Sequence, residues 1–281
     1  MKKTIAASLI TILLFITGIV NAQEKEEATK ERPGFKLGAF YNSGLNYYGR
    51  TDSLRSSGFF PLAELWFNKN LYINAAPVFT SNATNRFEYA GTVFTAGYQA
   101  KTDNEKFFTH LYFTKPIYRQ RTQLVQSALK EQLSATFSWQ NKFVNPSIGG
   151  DIKHVDGFDY GINAGLDHVF RCELTGQWIF VADPAAMINI GTQHFTRTYY
   201  EKNGFLFLPG TEQAVSQQVS ELKVLSYEFS IPLILSRNKW QLLVMPAYVI
   251  PQNLVTVAGN AELSERGRQL FYITAGGKIS F

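Results

Sequence analysis

The segment from Phe158 to Arg171 sets the strongest constraint on the fold. Phe158, Tyr160, Ile162, Ala164, Leu166, His168 and Phe170 fall on one side of a strand, and Asp159, Gly161, Asn163, Gly165, Asp167, Val169 and Arg171 on the other. Side chains along a strand point to opposite faces in turn. Burying the second face in an apolar core would strand Asp159, Asp167 and Arg171, at several kcal/mol per ion. One face of this strand must therefore meet water while the other meets something apolar. The closing stretch repeats the pattern: Phe271, Ile273, Ala275, Gly277, Ile279 and Phe281 alternate with Tyr272, Thr274, Gly276, Lys278 and Ser280.

The same two-faced pattern recurs along the chain. Strands are expected at Phe35–Tyr41, Phe59–Phe67, Leu71–Thr80, Tyr89–Ala100, Phe107–Tyr118, Gln132–Gln140, Ser147–Lys153 and Phe158–Arg171. Four more are expected at about Ala185–Tyr199, Leu222–Ser236, Trp240–Pro251 and Leu270–Phe281. Cys172 to about Pro184 reads as a connection, in which Trp178 to Val181 could add strand. Pro61 and Pro77 stand within expected strands although proline cannot donate to a ladder. The connections alternate in length: brief ones such as Asn68–Asn70, Lys101–Lys106 and Arg237–Lys239 follow strands two, four, six and ten, and long ones such as Asn42–Ser57 and Asn253–Arg268 follow strands one, three, five, nine and eleven, while the connection after strand seven is too short for this rule and the one after strand eight too long. The expected fold is all-β: an antiparallel transmembrane β-barrel of about twelve strands, with short turns at one end and longer loops at the other. A soluble sandwich gives no reason for loops to sort by length.

Composition agrees with a membrane barrel. Aromatic residues make up 15% of the chain and charged residues only 17%. Met1-Lys2-Lys3, the apolar run Thr4–Val20 and the small residue Ala22 have the form of a secretory signal peptide. The expected domains are a signal peptide at 1–22, a flexible periplasmic tail at 23–33 and the barrel at 34–281. No later apolar run is long enough for a membrane helix. The formal net charge of +5 falls to about +3 without Lys2 and Lys3, too little to indicate nucleic acid.

The closing stretch resembles the last strand of bacterial outer-membrane β-barrels, which ends on an aromatic residue after an alternating run. The resemblance rests on Phe271, Ile273, Ile279 and Phe281. It implies that these four residues form the signal read by the barrel-assembly machinery. It also implies a Gram-negative outer-membrane location, with short turns in the periplasm, long loops outside and membrane lipid as the surrounding partner.

Taking the polar faces as lumen-facing gives a candidate lining of Lys36, Glu64, Asp151, Asp159, Asp167, Arg171, Arg197, Glu228 and Lys278 (Lys153 beside them). Charges of both signs in a lumen either pair and plug it or line a path for a small solute. A porin-like channel or facilitator is the first expectation. The alternatives are a closed barrel acting through loops such as Gly210–Ser220 and Ala258–Arg268, and a hydrolase at the outer rim. For the hydrolase, the nearest approach is His154-Val155-Asp156 in an outer loop. The His, Ser and Asn spacing of outer-membrane phospholipases is missing, and no catalytic residue is assigned. Cys172 stands alone, and no metal-ligand spacing, phosphate loop or nucleotide fingerprint occurs, so neither a metal nor a cofactor is expected.

Overall fold

The computed structural model describes residues 33–120, 122, 124–202, 216, 218–256 and 264–281. The expected signal peptide and nearly all of the tail lie outside the described residues, as do parts of the loops at 210–220 and 258–268.

Fifteen strands form one antiparallel sheet. They are β1 (Gly34–Asn42), β2 (Ser57–Trp66), β3 (Leu71–Ser81), β4 (Glu88–Lys101), β5 (Phe107–Tyr118), β6 (Glu131–Trp139), β7 (Asn145–His154) and β8 (Phe158–Asp167). Then follow β9 (Phe170–Leu174), β10 (Trp178–Ala182), β11 (Ala185–Gly191), β12 (Lys223–Ser230), β13 (Leu233–Arg237), β14 (Trp240–Pro251) and β15 (Leu270–Ser280). Among the described residues, helix α1 (His194–Lys202) and a 3-10 turn, Val125–Ala128, lie in the loops.

The sheet closes on itself. β1 pairs with β15, β15 with β14, and β14 with β12, which leads through β11 and β8 back along β7 to β1. Six strands are halves of three longer ones. Ala185 faces Asp167 and Ala182 faces Phe170, so β8–β9 and β11–β10 keep one register across their breaks. β12 and β13 likewise stay in register against β14. The breaks fall at His168-Val169, Asp183-Pro184 and Ile231-Pro232, where prolines remove two ladder donors. Counted as continuous strands, the barrel has twelve.

The closed ring leaves few backbone groups unmade, the condition for crossing hydrocarbon. Its outer face is apolar. Phe113, Leu133, Phe137, Ile152, Tyr160, Ile162, Phe229, Leu242 and Phe271 are each between 43% and 60% exposed, far more apolar surface than a soluble monomer carries. Surrounded by lipid, that belt is at no disadvantage.

Two features differ from the sequence expectation or complete it. The strand expected over 185–199 ends at Gly191, and the chain turns into α1. The stretch from Cys172 to Pro184, read as a connection, is mainly the β9–β10 hairpin, turning at Thr175–Gln177. The two strand prolines share one defect. β2 and β3 pair at Phe59↔Phe79 and again at Ala63↔Ala75, so Pro61 and Pro77 fall opposite each other in the gap between. Each still has a neighbour on its other flank, Ala39 for Pro61 and Thr92 for Pro77. The missing donors are concentrated at one place and the ladder resumes in register.

Inside, a close approach fixes one glycine. The Tyr72 ring lies flat over Gly97 on the next strand and reaches His110 on the strand beyond, hydroxyl to Nε2 at 2.9 Å. A Cβ at Gly97 would come within 2.4 Å of the Tyr72 ring. Gly97→Ala should therefore displace Tyr72, break its hydrogen bond and destabilise the folded barrel by about 1–3 kcal/mol, as measured by urea unfolding in detergent. An unchanged midpoint would show that the ring is free to move aside.

Candidate functional site: the lumen and its outer plug

The ladder register assigns a face to each polar residue. Inner-face residues near the loop end are buried: Thr80, Lys153, Asp159, Asn189, Ser226 and Val249 are all under 9% exposed. Toward the turn end the inner-face residues Lys36, Asp167, Gln241 and Lys278 are half-buried, whereas Glu64, Tyr72, Ser138 and Asn145 are under 9% exposed. The turn half of the wall is therefore open at the first four positions and packed at the others.

Loop segments fill the loop half. Among the described residues, three apolar clusters sit inside the mouth. Leu45 packs with Val78, Ala90 and Leu124, backed by Phe60, Val93 and Tyr118. Val125, Ala128, Val155 and Phe195 form the second, with Tyr47 and Tyr48. Ala247, Val249 and Tyr272 form the third. Phe195 meets Tyr47 edge to face at 4.8 Å. Burial pushes the Tyr47 and Tyr48 phenols above their ordinary value.

At the centre is Arg50, 1% exposed. Its Nε donates to Glu265 at 3.1 and 3.2 Å. Nη1 donates to the carbonyls of Tyr48 (3.0 Å) and Leu225 (2.9 Å), and Nη2 to Gln193 Oε1 (2.6 Å) and the carbonyl of Gln252 (3.0 Å). All five guanidinium donors are thereby used. Glu265 in turn accepts the Val255 amide at 2.8 Å and the Thr196 hydroxyl. One arginine ties the loop after β1, the segment leading into α1 and the loop after β14 into a single knot. α1 is fixed separately to the wall. Asp159 on β8 accepts the amides of His194 (2.7 Å) and Phe195 (2.8 Å), the Thr192 hydroxyl (2.7 Å) and His194 Nδ1 (2.9 Å). A carboxylate on the first helical amides satisfies groups that have no partner within the helix, and it complements the helix dipole.

The other expected lining residues are placed as follows. Lys36 and Glu64 pair at 3.4 Å, with the Lys36 ammonium 4.4 Å from the Trp66 ring and Trp66 Nε1 donating to Glu64 at 2.6 Å. Lys278, opposite Gly38, lies on the same inner face two residues from the Lys36↔Ser280 pair. Asp151 and Lys153 form an ion pair beneath Tyr48. Asp167 accepts Asn145 Nδ2 at 2.8 Å, and Glu228 accepts the Tyr272 hydroxyl at 2.9 Å. Arg171 is in the β9–β10 hairpin, exposed, its Nη2 3.5 Å from Glu173. Arg197 is on α1, bonded to Glu201 at 2.7 Å and Ser216 at 2.8 Å. The reason is local: after Gly191 the chain leaves the sheet to meet the Asp159 cap, so strand alternation no longer decides where Arg197 points.

Phe271, Ile273, Ile279 and Phe281 share the outer face, where the Phe281 amide donates to the Phe35 carbonyl at 2.8 Å and the two rings lie 6.0 Å apart. His154 ends β7 on the outer wall, Nδ1 3.5 Å from Glu131, and Glu131 also pairs with Lys115. His168 packs on Phe170 at 4.4 Å.

Of the polar residues that matter most for the plug, Arg50 and Glu265 fall in stretches that the sequence marks only as loop, and Gln193 falls in the strand expected over 185–199. A further polar cleft of 720 Å³ opens at the mouth beside the plug, lined by Ser56, Thr80, Asn85, Glu88 and Arg119, and floored by Ala90 and Leu124.

In architecture the chain is similar to the KdgM porin, at 9% identity and a TM-score of 0.47 over 88% of this chain and 99% of that one. It is similar also to an outer-membrane channel from Pseudomonas putida F1, at 9% identity and 0.48 over 92% and 100%. The NanC porin gives 10% and 0.42 over 87% and 98%. No protein-family profile and no curated protein matches the sequence. The fold rests on this chain's own strand register, and these likenesses carry no information on cargo.

Removing Arg50 leaves Glu265 buried and short of its counter-charge. Arg50→Ala should lower unfolding free energy by about 3–5 kcal/mol, read from denaturant midpoints of the heat-modifiable folded band. A loss below about 1 kcal/mol, the range of an exposed pair, would mean that the knot is open to water.

Proposed function

We propose that this protein is an outer-membrane channel for small polar solutes, closed in the present conformation by its own outer loops. The observation carrying this reading is the asymmetry of the lumen. The turn half has a polar wall open at Lys36, Asp167, Gln241 and Lys278, whereas the loop half is occupied by a plug that no covalent link fixes in place. A barrel meant only as a rigid support has no use for half an open vestibule. Besides the Asp159 anchor and the apolar clusters, the plug is held by a knot of charged and polar groups around Arg50, which is the kind of element that can have two arrangements. The vestibule wall carries Lys36, Lys278, Glu64 and Asp167 together with the aromatic run Trp66, Tyr72, His110 and Tyr112. Charged and aromatic groups of this sort slow and sort small polar solutes.

A second reading has its own support. The three apolar clusters give the loop half the character of a packed core. A barrel sealed by them would act through its outer loops instead.

Single-channel recording in planar bilayers separates the two. Under the channel reading, wild-type protein shows long closures with rare openings. If opening breaks the Arg50–Glu265 knot, every 1.4 kcal/mol removed from the closed state raises open probability tenfold. Arg50→Ala and Glu265→Gln should each raise it by about tenfold or more. Lys278→Gln should shift the reversal potential toward cation preference, because it removes a positive charge from the vestibule. Folded, inserted protein that stays silent in wild type and in both knot variants would exclude the channel and leave the sealed barrel.

A further inference from the structure

We propose that the free edge of β9 is a docking surface for a second copy of this chain, the two edges pairing antiparallel about a twofold axis at Cys172. β7 begins at Asn145, opposite Asp167. The strand that carries β8 and β9 runs on past that point to Leu174, and among the described residues β9 pairs with β10 alone. All five residues of β9 are exposed. The barrel wall thus has a notch at its turn end, where one strand shows a row of backbone donors and acceptors with no ladder partner. An edge of this kind is a template for another strand, and more so beside lipid, where water is scarce. The flanking side chains fit such a position, since Val169, Phe170 and Leu174 are 43%, 55% and 47% exposed.

The sequence of the edge is complementary to itself. With Cys172 opposite its own copy, Arg171 of each chain meets Glu173 of the other, and Phe170 meets Leu174. Opposite charges across a strand pair attract, and like charges repel. Centring the axis on Arg171 or on Glu173 would oppose like charges, so the charges select the register at Cys172. A twofold arrangement also closes after two copies and leaves no further edge exposed. The chain's own segment Gln23–Arg32 is a poorer occupant, because it is densely charged and lacks the bulky apolar residues that would cover Phe170 and Leu174.

Thiol trapping tests the inference on full-length folded protein, in native membranes and in detergent. Copper-phenanthroline oxidises two facing thiols to a disulfide. Wild-type protein should give a reducible band of twice the monomer mass, absent in Cys172→Ser. Moving the thiol, by Arg171→Cys or Glu173→Cys in the Cys172→Ser background, should slow trapping about tenfold, since those positions do not face themselves and distant Cα pairs are not bridged. Glu173→Arg should cut trapping at Cys172 several-fold, and Arg171→Glu combined with Glu173→Arg should restore it. Heat-modifiability of each variant confirms that it folds. A monomer throughout, equal trapping at all three positions, or indifference to charge reversal would overturn the proposal. So would a disulfide formed within one chain between Cys172 and a cysteine placed in residues 23–32, which would assign the edge to the chain's own tail.

Discussion

The arrangement of the outer half depends on one buried guanidinium. Arg50 and Glu265 are 1% and 4% exposed at their side chains. Isolated, either ion would be too costly to keep in such a place. They are tolerable because every donor of Arg50 and most of the acceptor capacity of Glu265 are used, by groups from three separate loops. The loops can pack their apolar residues into the barrel only in the arrangement that also satisfies these two charges. Leu45, Phe195 and Val155 supply the burial, and the arginine supplies the geometry.

Asp159 extends the same logic to the barrel wall. In a soluble core a buried aspartate on a strand would be a liability. Here it becomes the anchor of α1, which brings Thr196 to Glu265 and Phe195 to Tyr47. The wall, the helix and the arginine knot thus form one connected unit across the mouth. The turn half has no comparable filling. Its polar residues pair locally along the wall, Lys36 with Glu64 and Asp167 with Asn145.

What the sequence made legible is what local alternation records. The face of Asp159, Asp167, Glu228 or Lys278 follows from period two alone, and closure into a ring followed once every strand had to bury one side and wet the other. The segment His194–Lys202 was misread because Phe, Thr and Tyr suit strands as well as helices. The residue that decides for helix, Asp159, lies 35 positions earlier. The hairpin 170–182 was hidden by His168, Pro184 and Pro232, which interrupt the pattern without ending the strands. The knot was out of reach for a different reason: its two charges are 215 residues apart, and neither loop has a periodicity that would mark one of its residues as buried.

Solvent access along the inner wall tests the central claim, a filled loop half over a wet turn half. Single cysteines placed on the inner face in a Cys172→Ser background, by Ser226→Cys and Asn189→Cys near the plug and by Gln241→Cys and Lys278→Cys near the turn end, can be titrated with a charged, water-soluble thiol reagent in folded protein. The account predicts rapid labelling at 241 and 278 and labelling slower by orders of magnitude at 189 and 226, where reaction must await opening of the plug. Equal rates at all four positions would contradict it, and would mean that the loops leave the lumen open from end to end.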